Sequence, residues 1–167
     1  GILFLGEEFQ DTIEGVRNSL NTITQYVVIG DSGVGWMKSY EKWIAGSLAQ
    51  APLLSYDVEL EDEFLIIYTS GTTGAPKGAV LTQRNILFSS LNQIIDFQCT
   101  TRDITLTLAP LFHAGGSLIL TFPMFHVGGT VVIQKHFDAK MALALMEKEK
   151  ISVMFAVPAM WTAIMQL

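Results

Sequence analysis

Cysteine is almost missing. The 167 residues hold one, Cys99, so no internal disulfide can form and no cysteine-based zinc set can be assembled. That scarcity fits a reducing compartment, and the reading is cytoplasmic, with peripheral contact at a membrane as its variant. Basic charge is also short: 10 Lys and Arg stand against 16 Asp and Glu, a net charge of −6. A nucleic-acid partner is excluded on that balance, because phosphate-backbone binding needs a basic face. Between Ile104 and Gln134 there is no Asp, Glu, Lys or Arg. The run exceeds the roughly 20 residues of a spanning helix, yet Pro110, Gly115, Gly116, Pro123, Gly128 and Gly129 interrupt it. Breakers at that density fit a strand, a helix and a strand buried in one domain, not a transmembrane segment. Residues 1–6 lack the basic start of a signal peptide and read as a strand. Internal repeats and low-complexity tracts are lacking too.

What the chain does have is apolar residues, 50% of the total, enough for a folded core and far from a disordered composition. Strand-like and helix-like patterns alternate. Strands are expected at residues 2–5, 26–29, 64–68, 79–81, 104–108, 130–133 and 152–156. Helices are expected near 7–20, 39–48, 83–97, 116–125 and 139–149, with residues 51–61 as a connector. Thr82 and Asp138 are placed as N-caps, and Pro158 as the first residue of a last helix. Alternation of this kind predicts an α/β fold with a mostly parallel sheet and crossover helices.

The strand at residues 64–68 runs into Thr69, Ser70, Gly71, Thr72, Thr73, Gly74, Ala75, Pro76, Lys77 and Gly78. Glycines let the backbone take positive φ and bring N–H groups close to an anion. The hydroxyls add donors, Lys77 adds a point charge, and Pro76 stiffens the exit. A solvated glycine–threonine turn is the bland alternative. A Walker loop is excluded, because Pro76 stands where its second glycine belongs, Gly78 follows the lysine, and a strand follows in place of a helix.

The stretch from Ile66 to Gly78 resembles the signature loop of the adenylate-forming superfamily. That group comprises acyl- and aryl-CoA synthetases, luciferases and peptide-synthetase adenylation domains. The resemblance implies that Thr69, Ser70, Gly71, Thr72, Thr73, Gly74 and Lys77 contact the β- and γ-phosphates of ATP, with Thr69 near a Mg²⁺ ion. The segment from Leu108 to Gly116, with Pro110, Phe112 and His113, is similar to the P-x-F-H segment of the CoA synthetases. It implies that Phe112 and His113 line the acid's pocket, against the alternative of a satisfied, buried histidine at a strand end. The glycines between Gly30 and Gly35 read as a turn, His126 and His136 lack metal-ligand spacing, and the charges from Glu147 to Lys150 read as a solvated helix face.

By resemblance, the parent activates a carboxylic acid, read here as a fatty acid, with ATP to an acyl-adenylate and then transfers it to coenzyme A. Its substrates are small molecules: ATP with Mg²⁺, the acid and coenzyme A. Aryl-CoA ligases, peptide-synthetase or luciferase-like enzymes, and a non-catalytic folded module remain as alternatives. Residues 1–167 are expected to be a single partial domain, a fragment of the large N-terminal domain with the C-terminal domain absent. The family's Tyr-Gly-x-Thr-Glu segment, hinge and C-terminal lysine are not in this sequence, so the fragment is expected to be inert. Exposed apolar surfaces would let it form a homo-oligomer.

Overall fold

The computed structural model describes residues 1–30, 34–47, 49–51, 56–71 and 74–167. Outside the described residues lie Thr72 and Thr73 of the loop, the end of the expected 39–48 helix at Leu48, part of the 51–61 connector, and the middle of the Gly30–Gly35 turn. The chain forms two compact units, Gly1–Ser55 and Tyr56–Leu167.

In the first unit, β1 (Ile2–Gly6), β2 (Gln25–Ile29) and the two-residue β3 (Lys38–Ser39) pair in parallel in that order. Their apolar runs bury Leu5, Val28 and Met37, against which Ile13, Tyr26 and Trp36 pack. Trp36 meets the Tyr26 ring edge-on at 5.1 Å and carries the Arg17 guanidinium 4.6 Å above it. The single helix expected over residues 7–20 is shorter: α1 (Gln10–Val16) lies between two 3₁₀ turns. Gly15, Asn18 and Ser19 are weak helix formers, so the last turn tightens. A short α2 (Tyr40–Ala45) follows.

The second unit opens with β4 (Glu63–Thr69) and β5 (Lys77–Thr82), which pair antiparallel from Glu63–Thr82 out to Thr69–Lys77. The glycine-rich segment is therefore the tip of a hairpin. Thr82 caps α3 (Gln83–Phe97) in a reciprocal box with Asn85, and Gln98 ends it in the left-handed region at φ 53°. The expected 116–125 helix is two pieces, α4 (Ala114–Ser117) and α5 (Thr121–Val127). Pro123 has no N–H to continue a helix from residue 119, and the Thr121 hydroxyl instead donates to the Gly116 carbonyl at 2.6 Å.

Strands β6 (Ile104–Thr107) and β7 (Thr130–Ile133) pair in parallel. The strand expected at 152–156 is reduced to one parallel bridge, Thr105 to Val153. There the Ser152 hydroxyl accepts the Ile104 N–H at 3.0 Å, a donor that a continuing ladder would use. Ser152 also donates to Asp103 at 2.7 Å, and Asp103 accepts the Thr100 N–H and hydroxyl at 2.7 Å each. These bonds hold the Asp103 carboxyl below its ordinary value. Burial, with a smaller push from Asp103, raises the neighbouring Cys99 thiol.

Helices α6 (Ala139–Lys148), capped by Asp138 through the Met141 N–H at 2.7 Å, and α7 (Pro158–Met165) cover Leu106, Leu108, Ala142, Ala156 and Ile164. The fold is thus mixed α/β, with parallel pairing in two of its sheets and antiparallel pairing at the hairpin. Among the described residues no helix is long and apolar enough to cross a membrane.

Candidate functional site

The hairpin presents its loop by geometry that the glycines permit. Gly71 has φ +58° and Gly74 φ +85°, conformations that an L side chain resists. A Cβ on Gly71 would run into the Ala75 carbonyl oxygen, so the tip is closed on itself at that point. At its base the Thr69 hydroxyl donates to the Lys77 carbonyl at 3.4 Å. Thr69, Ser70 and Lys77 are exposed and Gly71 is half-buried. Lys77 forms no ion pair among the described residues. Gly78 sits under β4: a Cβ there would lie 2.8 Å from Ile66 and 3.5 Å from the Tyr68 ring.

Such a tip offers hydroxyls, backbone N–H groups and a mobile cation to an anion, with little desolvation to overcome. Among the described residues no group of three His, Cys, Asp or Glu is gathered as a metal site. Mg²⁺ bound together with phosphates needs only one or two protein oxygens and keeps several waters, and the exposed Thr69 hydroxyl fits such a role.

Phe112 and His113 lie just beyond the carboxyl end of β6, where ligands of open α/β sheets bind. His113 is the N-cap of α4, its Nδ1 accepting the Gly115 N–H at 3.2 Å. With Nδ1 an acceptor, the neutral ring carries its proton on Nε2 and can donate it outward. The turn is fixed from below: the His113 N–H donates to the Pro110 carbonyl at 3.0 Å, and the His113 carbonyl accepts from Gly116, at 3.0 Å, and Ser117. Gly116 is obligatory, since a Cβ would clash with the carbonyls of Ala109 and Pro110. His113 is exposed and Phe112 is 82% exposed, so the alternative of a buried, satisfied histidine does not hold.

One neighbour escaped the sequence reading. A Cβ on Gly115 would stand 3.1 Å from the Phe155 ring, so Gly115 and Phe155 face each other beside His113. The signal available was the resemblance of the stretch from Ser152 to Met165, with Val157 and Pro158, to the family's segment along the acyl tunnel, which does not single out Phe155. The two motifs share the second unit, and among the described residues no hydrogen bond or ion pair joins the loop to Phe112 or His113. The strand that leads into the loop, β4, meets α5 through the Phe64–Phe122 edge contact at 5.6 Å.

Comparison with known proteins matches this arrangement. The family of AMP-binding enzymes matches residues 7–167. An indoleacetate–CoA ligase of Aromatoleum aromaticum is 36% identical over 158 residues, which make up 95% of this chain and 30% of that protein. An anthranilate CoA ligase in complex with anthranoyl-AMP shares the fold at TM-score 0.86 and 25% identity, over 99% of this chain and 32% of its own. The inhibitor-bound N-terminal domain of FACL13 from Mycobacterium tuberculosis gives 0.80 and 25%, over 98% and 39% respectively. The chain spans 30–39% of the length of these three proteins. With the match running through both the glycine-rich hairpin and the Phe112–His113 turn, this chain belongs to the AMP-binding enzyme family.

Proposed function

We propose that this chain is part of the N-terminal domain of an ATP-dependent acid–thiol ligase and carries its phosphate loop. The observation that supports this most is the hairpin tip, with two positive-φ glycines beside an exposed Lys77 that forms no ion pair among the described residues. In this reading Thr69, Ser70, Gly71, Thr72, Thr73, Gly74 and Lys77 hold the β- and γ-phosphates, and Phe112 and His113 border the acid. Mg²⁺ near Thr69 would neutralise phosphate charge. A carboxylate oxygen attacks the α-phosphorus, forming an acyl–O–P linkage while the bond to pyrophosphate breaks. The sulfur of coenzyme A then attacks the acyl carbon, a C–S bond replaces the C–O bond to AMP, and the thiol proton leaves to solvent. Hydrogen bonds from the loop to the departing pyrophosphate supply part of the electrostatic stabilisation.

The acid is a fatty acid in the sequence reading. Indoleacetate and anthranilate, in the names of two similar proteins, favour an aryl acid instead. A panel of fatty and aryl acids offered to the full-length parent in ATP–pyrophosphate exchange separates the two. The remaining parts of the active site lie outside this sequence, so residues 1–167, a single partial domain in this proposal, are inert alone. Acid-dependent exchange by the isolated chain would contradict that. The compartment proposed is the cytoplasm. A row of exposed apolar side chains on α3, Phe88, Leu91 and Ile95, is the surface through which the isolated chain would self-associate.

A further inference from the structure

The face of β6 that meets the start of α5 carries hydroxyls where a buried parallel strand ordinarily carries methyl groups. Thr105 and Thr107 stand two residues apart and so share that face, while Leu106 and Leu108 enter the core with Ala142 and Ile164. Thr105 pairs with Val131 of β7 on one side and bridges to Val153 on the other. It is fully buried, and Thr107 and Thr121 are nearly so. A cavity of about 10 Å³ lies among these three threonines, Gly116, Leu120 and Phe155. That is the room one water needs, and nothing larger fits.

The hydroxyl hydrogens can be assigned by elimination. A carbonyl only accepts, so the Thr121 hydrogen goes to the Gly116 carbonyl at 2.6 Å. Thr107 is then the donor in its 2.8 Å bond to Thr121, and its own oxygen keeps lone pairs free to accept. Thr105 Oγ1 is buried with no hydrogen-bond partner among the described residues, whereas buried hydroxyls are ordinarily satisfied. Alternate residues of a strand stand about 6.6 Å apart, a gap too wide for a direct bond between parallel side chains and suited to a bridging water.

We propose that this cavity binds one structural water, which accepts from the Thr105 hydroxyl and donates to Thr107 Oγ1. A directed chain of hydrogen bonds then runs from Thr105 through the water, Thr107 and Thr121 to the Gly116 carbonyl. The Gly116 N–H in turn donates to the His113 carbonyl at 3.0 Å, so the chain anchors the Phe112–His113 turn to β6. Thr105 acts as a positioning residue, reaching the turn only through the others. The proposal does not depend on the ligase reading.

The test compares the wild-type full-length parent with Thr105→Val, which puts a methyl in the hydroxyl's place, and Thr105→Ser, which keeps the hydroxyl. A high-resolution crystal structure of the wild type is expected to show one ordered water within about 3.2 Å of both Thr105 Oγ1 and Thr107 Oγ1. Thr105→Val should lack it. That variant is also expected to lower the thermal midpoint by about 2 °C and to speed amide exchange at Gly116 and Ser117 severalfold, with exchange in α6 unaltered. Thr105→Ser should retain both the water and the wild-type exchange at Gly116 and Ser117. A hydroxyl that is simply unpaired predicts the opposite sign, because replacing an unsatisfied buried polar group by an apolar one of the same shape is neutral or stabilising. An unchanged or raised midpoint in Thr105→Val, unchanged exchange at Gly116 and Ser117 in that variant, or a dry cavity in the wild type overturns the proposal.

Discussion

Gly71 and Gly74 matter because of the backbone they allow, at φ +58° and +85°. Gly71→Ala places a Cβ against the Ala75 carbonyl as well as forcing a left-handed conformation, so it is expected to cost more than about 1 kcal/mol locally. In the full-length parent the readout is the Kd for ATP, which should rise, while the dissociation constant of the acid stays unchanged. His113 works at the same scale but differently. Its Nδ1 is occupied by the Gly115 N–H, which orients the ring and leaves Nε2 for a ligand. Gly115 faces Phe155 across a gap already tight for a Cβ. Gly115→Val is therefore expected to raise KM for bulky acids severalfold and leave KM for ATP unaltered, as measured across an acid series.

At the scale of elements, α3 depends on its first turn, where Thr82 and Asn85 exchange hydrogen bonds. Thr82→Ala removes that cap and is expected to cost about 1 kcal/mol, read as faster amide exchange over the first turn of α3. The start of β6 depends on Asp103, which ties Thr100 and Ser152 together through three hydrogen bonds to its carboxylate. Since its folded value lies below the ordinary 3.8, the charged form stabilises the fold. That stability is present above 3.8 and is lost as pH falls through the lower, folded value. Urea unfolding from neutral to strongly acidic pH should show this loss, and Asp103→Asn should remove it together with about 1 kcal/mol at neutral pH, a modest figure because the carboxylate is partly solvated.

The caps at Thr82 and Asp138 and the proline at the head of α7 were legible in the sequence, because a cap acts within four residues. The pairing of β4 with β5 was not, since hydrophobic periodicity marks each strand without saying which strand it pairs with. Nor was the break between α4 and α5, where Pro123 and the Thr121 hydroxyl override an apolar run that reads as one helix. Of the candidate site, the glycine-rich hairpin tip and the Phe112–His113 turn could be picked out from residue types at fixed spacing. Phe155 opposite Gly115 could not, because that approach joins segments distant in the chain.

For the whole molecule, two compact units carry many exposed large apolar side chains, and the chain matches AMP-binding enzymes over nearly its full length while spanning about a third of theirs. In the proposed parent ligase, Thr69–Gly78 acts on the leaving pyrophosphate through Lys77. The direct measurement is acid-dependent ATP–pyrophosphate exchange by the full-length parent, wild type against Lys77→Ala, alongside thioester formation from pre-made acyl-adenylate. Exchange should slow about 10–100-fold, the worth of one hydrogen bond to a charged group, with the second step unchanged. An exchange rate equal to wild type would contradict the account.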